Sequence, residues 1–134
     1  MRLYFQAAFS IALLLAVDVP QYANVARAET PATAITLTPN KIDFGTQPVG
    51  VASQPQTSTL TNIGKARVAI DDITVSGIDF SEASTCPEQL APGAECSISV
   101  TFKPAINEPR FGTVIISDSA AGSPHMLLLS GVGQ

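Results

Sequence analysis

The sequence predicts an all-β sandwich closed by one disulfide, and three observations carry that prediction. Residues 86–104 hold the chain's only two cysteines, with a Pro-Gly turn between them. From Cys96 onward, Cys96, Ile98, Val100 and Phe102 fall on one side of an extended chain, and Ser97, Ser99, Thr101 and Lys103 on the other. That is a strand with one dry and one wet face, closed by Pro104. Elsewhere, short runs rich in Thr, Val and Ile are punctuated by Gly and Pro, with no helical pattern of useful length.

Residues 1–28 read as an export leader and are set apart from the fold. Arg2 supplies a thin positive start, residues 7–17 are apolar except for Ser10, and Asp18, Pro20 and Gln21 end the apolar stretch. Ala26-Arg27-Ala28 is then a small-x-small cleavage site before Glu29. The competing reading is an uncleaved anchor, but an apolar stretch of about 15 residues is short for a span of ~20. No cysteine flanks the site for lipid attachment and there is no twin-arginine pair, so the general secretory route is the simpler one. The expectation is an extracytoplasmic protein, periplasmic or released, with no membrane insertion after cleavage.

Beyond the leader, five basic residues (Lys41, Lys65, Arg67, Lys103, Arg110) stand against ten acidic ones. No basic stripe is present to meet nucleic acid or an anionic membrane. The remaining length suits one domain, burying roughly two-thirds of its unfolded surface. Residues 29–34 carry no pattern and are expected to be a flexible tail, with the domain over 35–134.

The strands follow in order. Residues 35–38 lead into Pro39-Asn40, and 41–44 stop at Gly45. Residues 57–63 end at Gly64, and 68–75 end at Ser76-Gly77, followed by a short piece at 79–80. Residues 96–103, 111–117 and 126–132 complete the set. In an exported chain, Cys86 and Cys96 pair in only one intramolecular way. As a metal site they lack a second His/Cys cluster, and their spacing is far from a Cys-x-x-Cys redox pair. A bond to a partner chain is the remaining alternative.

These landmarks form an ordered series. It runs Pro39, Phe44-Gly45, Pro48-Val49-Gly50, Thr59-Leu60-Thr61-Asn62-x-Gly64, Phe80, Cys86, Leu90, Pro92-Gly93, Cys96, Val100-Thr101-Phe102-x-Pro104, Gly112 and Leu129-Ser130-Gly131-x-Gly133. Over residues 35–134 the series resembles the ASH-type domain (abnormal-spindle and hydin-like), known in bacterial secreted proteins as the choice-of-anchor D type. The resemblance implies an immunoglobulin-like sandwich of about seven strands, related to the major-sperm-protein and pilus-chaperone folds. It implies no enzymatic activity and a role as an interaction or spacer module. With one copy, and the sequence stopping one residue after Gly133, a free domain is expected rather than one bead of a stalk.

Phe44, Phe80 and Phe102 are the large apolar groups of a core without Trp. Gly45, Gly50, Gly64 and Gly93 mark turns, where positive φ or a close backbone approach needs no side chain. Asn62 is expected to cap its own turn through its side chain.

No catalytic, cofactor-binding or metal-binding residue is expected. His125 is the only histidine, in a Gly-Ser-Pro-His turn, and a nucleophilic triad needs more partners than the sequence places around it. Asp71 and Asp72 are strand neighbours, expected to point to opposite faces. Glu82, Glu88 and Glu95 surround the cysteine loop without a Ca²⁺-loop spacing.

Alternation fails in the last two strands, where Val114-Ile115-Ile116 and Met126-Leu127-Leu128-Leu129 are apolar on both faces. The resemblance aims Val114, Ile116, Leu127 and Leu129 inward. Phe111, Ile115, Met126 and Leu128 then sit elsewhere or face out, and Ile115, Leu128 and Met126 become candidate interface residues for an unknown protein partner or a homodimer. Coverage by a loop or by the N-terminal tail is the alternative, since scattered surface apolar residues are normal. Two other functions remain open. A carbohydrate- or surface-binding module is weakened because Tyr4 and Tyr22, the only tyrosines, lie in the leader. A chaperone-like strand-addition protein would need a basic anchor, for which Lys103 and Arg110 are the candidates.

Overall fold

The computed structural model describes residues 32–134 and is all β, with nine strands in two sheets. The leader expected over 1–28 lies outside the described residues. β1 (Ile35–Thr38), β3 (Gln56–Asn62), β7 (Glu95–Phe102) and β5 (Phe80–Ser84) form one sheet in the order β1-β3-β7-β5. The second sheet has the order β2-β9-β8-β4-β6, built from β2 (Lys41–Gln47), β9 (His125–Gly133), β8 (Pro109–Asp118), β4 (Val68–Ser76) and β6 (Gln89–Leu90). All pairings are antiparallel except β2 with β9.

β7 behaves as its alternation predicts. Cys96, Ile98, Val100 and Phe102 are buried and the residues between them are not. Their partners across the sandwich are Val114, Ile116, Leu127 and Leu129, all buried, which fixes the inward faces of β8 and β9. At one end, Phe44, Phe80 and Phe102 pack together with ring centroids 6.0, 5.7 and 4.8 Å apart.

Three elements depart from the sequence reading. β2 does not stop at Gly45; it runs to Gln47 through an irregularity between Asp43 and Thr46. β5 is a full strand, although Phe-Ser-Glu-Ala-Ser has weak β propensity, because β7 supplies its ladder. β6 is two residues held by β4. Of the tail expected over 29–34, residues 32–34 are tied down. The Ala32 carbonyl accepts from Lys65 and Ala66 N–H, and the Ala34 carbonyl from Ile63 N–H. Gly64, at that contact, has no positive φ; a Cβ there would run into the Ala32 carbonyl. Gly45, Gly50 and Gly93 do take positive φ, as turn glycines do.

Cys86 and Cys96 are bonded, with Cα atoms 4.9 Å apart. The bond closes the segment that carries β6 onto β7. Replacing both cysteines with alanine is expected to lower stability by about 3 kcal/mol, the loop-entropy value for so short a ring. Equilibrium urea unfolding with and without reductant checks this, and reductant should leave the double variant unchanged.

Candidate functional site

The outward face of β8 and β9 follows from their register. Ile115 pairs with Met126, Thr113 with Leu128 and Phe111 with Ser130. The inward positions are occupied, so the intervening side chains face away from the core. Met126 and Leu128 are about half exposed (52% and 51%), and Phe111 is 75% exposed.

The three candidate residues therefore share one face, with a change of emphasis. Ile115 is only half-buried and sits across from Met126, diagonal to Leu128. Phe111 is the larger exposed group, and the sequence reading did not select it as a site. Its parity with Thr113 and Ile115 along β8 was the available signal. β2 extends the face, because Lys41 lies beside Leu128 and Asp43 beside Ser130. Lys41, Phe111, Thr113, Leu128 and Ser130 line a shallow depression of about 320 Å³ at its centre.

Other chemistry-bearing groups are spent on structure. Asp118 is buried; its Oδ2 lies 2.8 Å from His125 Nδ1 and its Oδ1 accepts the Ala120 N–H at 2.8 Å. His125 thus has an orienting carboxylate that sequence spacing did not reveal, because the β8–β9 turn brings the two together. The Ser123 hydroxyl in the same turn accepts the Asp118 N–H at 3.0 Å. The three groups pin the hairpin loop.

Arg110, at the start of β8, pairs through Nε with the buried carboxylate of Asp79. It is therefore engaged inside the domain and not presented as a basic anchor. Asn62 is fully buried, and its Oδ1 accepts the Gly64 N–H at 3.0 Å, which is the expected turn cap. Its Nδ2 goes further than the sequence indicated, donating to the carbonyls of Ala66 and Leu90 at 2.8 and 2.9 Å.

Asp71 and Asp72 do not simply oppose one another. A register shift in β4 between Ile70 and Asp72 lets both line a depression of about 240 Å³ with Glu88, beside Cys86. Among the described residues, no three His, Cys, Asp or Glu side chains are placed to hold a metal ion. No helix among them is long and apolar enough to cross a membrane.

Known proteins share this architecture. A protein of unknown function from Porphyromonas gingivalis W83 superposes with a TM-score of 0.65 at 13% identity, over 78% of this chain and 50% of that one. The secreted serine protease VesC from Vibrio cholerae gives 0.58 at 18% identity, over 76% of this chain and 23% of that one. The ASH/PapD-like domain 7 of human CEP192 gives 0.58 at 18% identity, over 81% of this chain and 91% of that one. The chain thus spans half or less of the first two. Among curated proteins, none matches it. At such identities these likenesses show the fold alone. The sequence model for the HYDIN/CFA65/VesB-like, Ig-like domain matches residues 33–131, most of the chain, and the protein belongs to that family of immunoglobulin-like domains.

Proposed function

We propose that this chain is a non-catalytic protein-interaction module that works outside the cytoplasm, in the periplasm or beyond, and binds through the outward face of β8 and β9. The carrying observation is the cluster of Phe111, Leu128 and Met126. These are large apolar groups, half exposed or more, on one sheet face of a small domain. Contiguous apolar surface of this kind marks association sites on soluble proteins, whereas single exposed residues do not. Lys41 and Asp43 at its margin supply the polar rim that such sites carry.

The extracytoplasmic setting is supported by the Cys86–Cys96 bond, which persists in oxidising compartments. The leader-like sequence at 1–28 agrees with it. The absence of a catalytic role is supported by the structural employment of His125, Asp118 and Asp79. A strand-addition chaperone is a weaker reading, because Arg110 is committed to Asp79.

Changing Phe111 and Leu128 together to Glu is expected to leave far-UV circular dichroism and the melting temperature close to wild type, since neither side chain packs in the core. The same change should abolish retention of a stoichiometric protein partner when the tagged chain is recovered from its own cell envelope. Undiminished retention by the double variant would exclude this face.

A further inference from the structure

We propose that the partner held by the outward face of β8 and β9 is a second copy of this chain, which rests on reading that face as an interaction surface. Strand pairing lays the outward side chains out as a grid. One row runs Lys41, Leu128, Thr113 across β2, β9 and β8; the next runs Asp43, Ser130, Phe111. Two copies of a sheet stack face to face when a two-fold axis lies in the plane of contact. An axis running across the strands, midway between these two rows, exchanges them.

The exchange sets Lys41 of each copy over Asp43 of the other, so two opposite-charge contacts form symmetrically. Leu128 comes to lie over Ser130 of the second copy, in the depression between Phe111 and Lys41. Phe111 lies over Thr113, next to Leu128. One row further out, the same operation places Met126 over Val132, another exposed apolar residue of β9. Sheet twist rotates such stacks by about 30°, so the rows nearest the axis meet most closely.

An isologous interface requires a patch complementary to itself. A patch that simply collected apolar groups would leave its charges unmatched. Here Lys41 and Asp43 occupy successive outward positions of β2, and both are exposed. Asp43 is held in place by the Gly45 N–H, which donates to Oδ1 at 2.9 Å. The net acidity of the chain opposes self-association, but charges more than about 10 Å apart are largely screened at 0.1 M salt. The local pairs therefore decide.

Sedimentation velocity on the purified full chain tests the proposal. Wild type is expected to sediment as a dimer at high concentration. K41D places two acids on β2 and D43K places two lysines there. Each sets like charges over one another and should raise the dissociation constant at least about tenfold. Mixed one to one, they should recover association, because the acids of one variant face the lysines of the other. L128E should be monomeric. A wild type that stays monomeric at its highest soluble concentration overturns the proposal. So does a dimer that persists in L128E, or a mixture of two folded variants no more associated than its parts. A monomeric wild type whose envelope partner is still lost on changing Phe111 and Leu128 to Glu would remove the second copy while leaving the interaction face standing. If capture is unaffected as well, both readings fall.

Discussion

Replacing Asn62 with leucine is expected to lower the stability of the domain by about 4 kcal/mol, and its melting temperature by about 20 °C. Asn62 closes β3 with no solvent exposure. Its amide satisfies the Gly64 N–H and the carbonyls of Ala66 and Leu90. Leucine fills a similar volume but leaves these three backbone groups without that partner, and each buried orphan costs about 1–3 kcal/mol. The residue also joins separate parts of the chain, since Ala66 precedes β4 and Leu90 ends β6. Asn62→Asp should be damaging as well, because it replaces a donor with an acceptor opposite two carbonyls. Equilibrium urea denaturation provides the measurement. A leucine variant within about 1 kcal/mol of wild type would show that the three groups find other partners, and that the amide is not what holds the turn.

Phe102→Ala is expected to cost about 4 kcal/mol, in the range for emptying a well-packed aromatic site. The ring is fully buried and stacks on Phe80 at a centroid distance of 4.8 Å. It also rests on the backbone of β9, where a Cβ added at Gly131 would meet ring atoms, with Phe102 Cδ2 at 2.7 Å. Gly131→Ala alone should therefore cost about 2 kcal/mol by overpacking. Combined with Phe102→Ala it should cost less than the sum by at least about 1 kcal/mol, because the ring it strikes is gone. Additive losses in thermal and urea unfolding would mean that Gly131 is needed for backbone reasons unrelated to the ring. The small residue in the Leu-Ser-Gly-x-Gly ending is thus explained by contact with an aromatic on the opposite sheet.

Much of the architecture was legible in the residues themselves. Burial on one face imposes a period of two on a strand, and 96–103 showed it cleanly. Cys86 and Cys96, Asn62 with Gly64, and the positive-φ glycines at 45, 50 and 93 are local devices, readable because their partners are close in sequence. The parts that escaped depend on partners far away in the chain. β5 is a strand because β7 offers it a ladder, and β6 exists only against β4. Asp71 and Asp72 share a depression because β4 shifts register against β8. His125 acquires its carboxylate only when the β8–β9 turn closes.

The candidate site divides along the same line. Val114-Ile115-Ile116 and Met126-Leu127-Leu128-Leu129 announced that two strands would expose apolar surface. Composition alone does not say which alternate residues face out, because a one-residue slip exchanges the two faces of a strand that is apolar on both. Packing against β7 makes the choice, burying Val114 and Leu127 and leaving Phe111, Met126 and Leu128 outside. The parallel pairing of β2 with β9 then brings Lys41 and Asp43 to the edge of that patch from some 85 residues away along the chain. A disulfide-closed β-sandwich was legible along the chain because alternation, turns and a ten-residue cysteine spacing act locally, and its immunoglobulin-like character followed from the ordered landmarks that carry the family resemblance. The charge that borders the patch and the place of β2 beside β9 came from the folded chain, because strand order and register are set by contacts distant in sequence.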